Sequence, residues 1–322
     1  MNLEFFNGKT VLVTGCAGFI GSHLVERLAA AGANVVGVDN LSRGQLDNIR
    51  HLIDKEKIKF IEGDIQDFSL MMSVTKNSEI VFHQAALGSV NASIQNPLET
   101  HASNSTGFLC LLETCRQNNV SKFIYASSSS VYGDLETEVK VEEQVGNPLS
   151  PYAVTKLTDE MYAKVYAGLY PNMQITGLRY FNIFGPKQNP NGPYAAAIPI
   201  FITAALKNKP VEIYGDGLQS RDFTYVENAV NANLLAAMKK VKSGEVYNVA
   251  CGETHTLLKV LSIIEEITGT KIQKKFSPPR QGDIRYSLAS IQKAKSELGY
   301  SPQTGLHEGL KKTIDWFEMS LR

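Results

Sequence analysis

Charge of one sign is what this chain lacks: Lys plus Arg number 32 and Asp plus Glu number 32, for a formal charge of zero. With no basic field spread over its surface, the chain is not expected to hold nucleic acid or an anionic membrane by bulk electrostatics. Cysteine is scarce as well. Cys16, Cys110, Cys115 and Cys251 include no C-x-x-C pair, which in a chain of this length reads as reduced, mostly buried thiols in a cytoplasmic protein without a metal. Long apolar runs are also missing. The most apolar segment, 194–206, is broken by Pro199 and too short to span a bilayer. Residues 1–8 show no cationic stretch leading into an apolar one, so a soluble chain without a cleaved leader is expected. With 322 residues, 43% hydrophobic and 20% charged, the chain can bury a substantial core and is not disordered.

What is present is an alternation of short β-branched runs with helical patterns. Strands are predicted over 10–14, 34–39, 58–62, 79–84 and 123–127, and helices over 19–31 and 97–118, with another opening at Pro151. This is the pattern of an α/β protein with a Rossmann-type doubly wound parallel sheet. The three prolines and two glycines of 182–194 make a loop, after which a smaller α/β substrate-binding lobe begins. The expected division is a dinucleotide-binding domain over 1–180 and a second over 181–322, with 226–250, a helix and a strand, returning to the first sheet.

The first strand runs directly into Gly15-Cys16-Ala17-Gly18-Phe19-Ile20-Gly21 and a helix. Glycines there let a pyrophosphate approach the free N–H groups of the helix N-terminus. The spacing is G-x-x-G-x-x-G, and a glycine triplet alone often marks only a tight turn. The second strand, however, ends in Asp39, where a carboxylate can accept both hydroxyls of an adenosine ribose and repel a 2′-phosphate. NAD is therefore favoured over NADP, with Arg43 as the rival 2′-phosphate partner and a capping role as the alternative for Asp39. Gly63-Asp64-Ile65 either meets the adenine edge or forms a turn.

Tyr152 and Lys156 lie four residues apart on one helical face. A free tyrosine titrates near 10, and a neighbouring ammonium favours its phenolate, which suits a base that removes a proton from a sugar hydroxyl. The fifth strand ends in Ser127-Ser128-Ser129-Ser130, and open α/β sheets bind ligands at strand carboxyl ends. A serine hydroxyl there can hold or relay the proton.

Taken together, these residues resemble the extended short-chain dehydrogenase/reductases, and within them the UDP-hexose 4-epimerases, over nearly the whole chain. The resemblance also rests on His83-Gln84-Ala85-Ala86, Asn104, Tyr132-Gly133, Arg179-Tyr180-Phe181-Asn182-Ile183-Phe184-Gly185, Ser220-Arg221-Asp222-Phe223 and Gly282-Asp283-Ile284-Arg285. It implies a catalytic set of Tyr152 as base, Lys156 holding the nicotinamide ribose and tuning Tyr152, and Ser128 hydrogen-bonding the reacting sugar oxygen. Cofactor contacts are implied for Gly15, Gly18, Phe19, Ile20, Gly21, Asp39, Asn40, Asp64, Ile65, Gln84, Ala85, Ala86, Asn104 and Tyr180. Substrate contacts are implied for Ser89, Ser129, Ser130 and Asn182, for Ala197 and Ile198 near the uracil, and for Tyr214, Arg221, Arg285 and Ser287. The family mechanism implies NAD retained through turnover: Tyr152 takes the O4 proton, C4 is oxidised, the 4-keto sugar rotates, and reduction occurs on the opposite face.

Within that family the chain most resembles the UDP-N-acetylglucosamine 4-epimerases. Ser287 stands where strictly UDP-galactose enzymes tend to carry a tyrosine, and a small side chain leaves room for a 2-N-acetyl group. UDP-GlcNAc and UDP-GalNAc are thus the expected pair, with UDP-glucose and UDP-galactose also admissible. Leu87-Gly88-Ser89-Val90-Asn91-Ala92-Ser93 has Asn91-Ala92 where several N-acetylhexosamine relatives carry Pro-Arg, and losing that arginine weakens the alternative of a uronate substrate. Ser129-Ser130 replace the Asp-Glu pair of dehydratases, and Ser130 the Glu of decarboxylases. A non-catalytic NAD-binding regulator would need none of Ser128, Tyr152 and Lys156. The resemblance further suggests a homodimer through helices of 97–118 and 151–170.

Overall fold

Seven segments pair through their backbones into one all-parallel sheet: β1 (Thr10–Thr14), β2 (Asn34–Asp39), β3 (Ile58–Glu62), β4 (Ile80–His83), β5 (Lys122–Ser128), β6 (Gln174–Tyr180) and β7 (Glu245–Val249). The computed structural model describes residues 1–191, 195–279 and 285–321. Of the sequence motifs, Pro193, Tyr194, Gly282, Asp283 and Ile284 lie outside the described residues. Strand order is β7-β6-β5-β4-β1-β2-β3, so the winding direction reverses between β1 and β4. Loops leaving the carboxyl ends of those two strands diverge and leave a crevice, where sheets of this kind bind ligands.

Alternation along the strands feeds two layers. Val11 and Val13 pack with Leu24, Val25 and Leu28 of α1 (Phe19–Ala30) and with Ala-rich α6 (Val226–Met238). Leu12, Phe123 and Tyr125 face the other way, against α2 (Phe68–Thr75), α4 (Gly107–Gln117) and Ala163 of α5 (Pro151–Leu169). A second apolar core joins helices Ala197–Leu206, Leu257–Thr268 and Leu306–Leu321 to the parallel pair Val211–Tyr214 and Lys274–Ser277. Among the described residues, no helix is long and apolar enough to cross a membrane.

Two elements differ from the sequence reading. The helix expected over 97–118 is interrupted: α3 (Pro97–His101) gives way to a π-helical turn, Ala102–Thr106, before α4. The widened turn swings Asn104 inward, where its amide binds both backbone groups of Leu87. Strand β6, second from the edge of the sheet, has no clear signature in the sequence because Gly177 and Arg179 interrupt its apolar run. Both are required there. A Cβ on Gly177 would stand 2.6 Å from the buried Tyr125 ring, and Arg179 is matched by a carboxylate described below. Gly177→Ala is therefore expected to cost about 1–3 kcal/mol of stability through overpacking, read as a lowered denaturation midpoint with an unchanged slope.

Candidate active site

At the carboxyl ends of β1, β2, β4, β5 and β6 lies a cleft of about 1120 Å3. Its floor on one side is the turn between β1 and α1. Gly15 takes φ +68°, and a Cβ on Gly21 would lie 2.0 Å from the Gly15 carbonyl oxygen, so the loop folds backbone against backbone. Gly18 caps α1, and the first N–H groups of that helix have no intrahelical acceptor. Gly15, Gly18, Phe19, Ile20 and Gly21 all line the cleft.

Asp39 ends β2 at the cleft wall, its carboxylate accepting N–H bonds from Ala17 at 3.0 Å and Leu41 at 2.9 Å. Burial pushes its carboxyl upward, against the lowering by those amides. Asn40, Ile65 and Arg43 line the same end. A helix N-terminus unobstructed by side chains, with a carboxylate at the end of the next strand, fits the pyrophosphate and ribose diol of a dinucleotide. Gln84, Ala85, Ala86 and Tyr180 line the middle of the cleft. There a closed ring of hydrogen bonds forms. Tyr180 Oη donates to Gln84 Oε1 (2.9 Å), Gln84 Nε2 to Asn233 Oδ1 (3.0 Å), and Asn233 Nδ2 to Tyr180 Oη (2.7 Å). Burial pushes the Tyr180 phenol up to about 12, so it stays protonated.

Helix α5 brings Tyr152 and Lys156 to the cleft opposite Ser128. Its start is fully satisfied: Ser150 accepts the Ala153 N–H (3.1 Å), Pro151 has none, and Ser93 Oγ accepts that of Tyr152 (3.0 Å). Ser128 Oγ accepts from the Ser130 N–H (3.1 Å), capping the turn Ser129–Tyr132. Lys156 is 2% exposed and donates to Asp159 Oδ2 at 3.3 Å. His83, at the end of β4, shares a 2.8 Å hydrogen bond with Thr14, and burial holds its ring neutral, down to about 3, with Lys156 adding to the shift.

Beneath α5 lies a buried polar network absent from the sequence reading. Arg179 binds Glu160 bidentately (2.9 and 2.8 Å) and donates to Tyr132 Oη (3.0 Å). Ser127 donates to Glu160 (2.5 Å), and Tyr132 to Asn248 (2.6 Å). These partners are far apart in sequence, and although Tyr132 and Arg179 fall within motifs noted above, nothing local pairs them with Glu160. A Glu four residues after a lysine on a helix and an Arg inside a strand were the available signals.

At the other end of the cleft, Asn182, Ala197, Ile198, Tyr214, Arg221 and Ser287 converge. Arg221 and Ser287 are register partners in neighbouring short strands. Asp222 ties this region to the main sheet by accepting N–H bonds from Cys251 (2.8 Å) and Gly252 (2.9 Å).

Four expected contacts do not line the cleft. Asn104 is fully buried and spends its amide on Leu87 and Thr155, so it holds the loop after β4 to α5. Ser89 is the N-cap of helix Val90–Gln95, accepting from Ala92, while its neighbours Gly88 and Val90 reach the cleft. Asp64 accepts from Asn40 and from the Gln66 backbone, so it shapes the turn whose flanks Gly63 and Ile65 face the cleft. Arg285 is exposed and paired with Asp216 at 3.0 Å.

A model of the "NAD dependent epimerase/dehydratase family" matches residues 11–250. The chain belongs to that family. NAD is accordingly its cofactor. Among solved structures, this family member is similar to a UDP-N-acetylglucosamine 4-epimerase from Methanobrevibacter ruminantium, solved with UDP-N-acetylmuramic acid (38% identity, TM-score 0.93, covering 98% of this chain and 99% of that one). It is also similar to a UDP-glucose 4-epimerase from Thermotoga maritima with UDP-glucose (38%, TM-score 0.92, covering 97% and 100%). A third is the UDP-glucuronic acid 4-epimerase of Bacillus cereus with UDP-glucuronic acid and NAD (34%, TM-score 0.90, covering 97% and 99%).

Because the Glu160 carboxylate is the counter-charge of the buried Arg179, Glu160→Gln should destabilise the fold by about 3–5 kcal/mol, measured by equilibrium urea unfolding.

Proposed function

We propose that this chain is an NAD-dependent UDP-sugar 4-epimerase whose preferred substrates are UDP-GlcNAc and UDP-GalNAc. The observation that carries the reading is the continuity of one cleft from the Gly15–Gly21 turn, past Ser128, Tyr152 and Lys156, to Arg221 and Ser287. In this reading residues 1–180, with 226–250, form the dinucleotide-binding domain, and 181–322 supply the nucleotide-sugar side. The cofactor would be held by the α1 N-terminus, Asp39 and Lys156. When bound, NAD supplies the reversible oxidation of the sugar at C4.

The protein residues handle the proton. Tyr152 Oη accepts it from O4, and Ser128 Oγ holds that oxygen in reach. Lys156 places a positive charge one turn along the same helical face, which stabilises negative charge on the Tyr152 oxygen before that proton is taken. The same Tyr152 returns the proton once the sugar has turned its other face, so no net redox change accumulates. Arg221 meets the pyrophosphate, for which a guanidinium fork is suited, and Asn182 the phosphate beside the sugar.

Substrate preference rests on the cleft wall. Ser287 is small, lines the cleft and sits in register with Arg221, leaving room for a 2-N-acetyl group. Asn91, also in the wall, is neutral, whereas a uronate carboxylate would call for a cation. Ser129 and Ser130 line the cleft where a dehydratase would need an acid and a base. The four cysteines are free thiols, in keeping with a cytoplasmic setting.

A homodimer is supported by the outer face of α5. Val154, Met161, Val165 and Leu169 are exposed at helical spacing, beside Ile94 and Leu98, the latter 85% exposed. A contiguous apolar stripe of this kind marks an association surface, and its position matches the helix pair expected from the sequence.

Incubation with UDP-GlcNAc, UDP-GlcNAc uronate and UDP-glucose in separate tubes, read by NMR, tests the assignment. The fastest 4-epimerisation is expected for UDP-GlcNAc. No epimer from any substrate refutes the reading, and a faster uronate reaction overturns the preference. Tyr152→Phe should lower kcat by about 10²- to 10⁴-fold with the fold intact by circular dichroism. Met161→Glu should convert dimer to monomer in light scattering coupled to gel filtration.

A further inference from the structure

Lys156 has a second charged neighbour that the proton chemistry above does not use. Along α5, Tyr152 lies one turn before Lys156 and Asp159 about one turn after it, so the lysine sits between phenol and carboxylate. Asp159 is wholly buried, accepts from Lys156 Nζ through Oδ2 at 3.3 Å, and its Oδ1 finds no donor among the described residues. A carboxylate placed there with one committed oxygen contributes little to packing the helix. Its effect falls on the ammonium.

We propose that Asp159 is a positioning residue for catalysis: it anchors the Lys156 ammonium and sets, through its own charge, how much positive potential Lys156 delivers to Tyr152. The inference rests on the reading of Tyr152 as the base. The groups around Asp159 define the electrostatics. Lys156 and Glu160 face it from α5, the first opposite in charge and the second alike. From β5, Tyr125 places a buried phenol nearby, and from β6, Arg179 is already neutralised by Glu160. From β4, His83 faces Lys156 as a neutral ring. Burial raises the Asp159 carboxyl to about 7, with Lys156 opposing the rise.

The sign follows. As pH rises through about 7, Asp159 becomes anionic and offsets the positive charge that the lysine presents toward Tyr152. Such coupling broadens a titration. The acid limb of the kcat profile of the wild-type enzyme should therefore have a slope below unity. In Asp159→Asn, which keeps an acceptor for Lys156 but no charge, the limb should sharpen and move about half to one pH unit lower, with KM for the UDP-sugar changed less than about twofold. Asp159→Glu, retaining the charge, should keep the wild-type limb. A unit slope in the wild type, a profile of Asp159→Asn that superimposes on it, or an equal displacement in both variants overturns the proposal. Activity retained by Tyr152→Phe would instead refute the underlying reading, so the two failures are distinguishable. If Asp159→Asn does not fold, the wild-type slope decides.

Discussion

The bidentate pair of Arg179 with Glu160 fixes the part of the cleft wall that carries Tyr152, Lys156 and Ser128. It joins the carboxyl end of β6 to the middle of α5, two elements brought together only by the parallel crossover. Burying either charge alone would cost several kcal/mol, so the two are tolerable only in each other's presence. Ser127 and Tyr132 add hydrogen bonds to the same pair from the strand end that carries Ser128. Helix, serine turn and sheet are thus held to one another at a single buried point. Tyr152, two turns up the helix, inherits its position from that point, with Ser93 and Ser150 securing the helix start.

Helix α5 consequently has three distinct sides of use. Lys156, Asp159, Glu160 and Ala163 are buried against the sheet, Tyr152 and Lys156 reach the cleft, and Val154, Met161, Val165 and Leu169 point outward. A partner covering the outward stripe would press the helix onto the sheet and restrain its fraying.

Much of the site was legible because its signals are local. The Gly15-Gly18-Gly21 turn, Asp39 at a strand end and the Tyr152/Lys156 spacing each express one backbone geometry within a few residues. Asn104, Ser89 and Asp64, expected to touch ligand, lie off the cleft lining and bond to neighbouring backbone. A motif position can be required for holding the loops that form a site as well as for touching a ligand, and sequence does not separate the two; only the hydrogen bonds of Asn104 to Leu87 and Thr155 do. Strand β6 was obscured by Gly177, of low strand propensity, and by Arg179, a charge in an apolar run, whose presence depends on partners in β5 and α5. Asn233, buried in an alanine-rich helix, was equally silent until its ring with Tyr180 and Gln84 was seen.

A neutral chain can nevertheless bind anions because the relevant potential is local. The α1 N-terminus offers oriented N–H groups, and Arg221 lines the far end of the cleft. Between them, Lys156 is a buried cation lining the cleft, with the Asp159 carboxyl beside it at 3.3 Å. A buried lysine with no counter-ion would bear the full desolvation cost of its charge whether or not a ligand was present. Pairing it with the Asp159 carboxylate lowers that cost, and it does so at a position where helix packing alone would favour an apolar side chain.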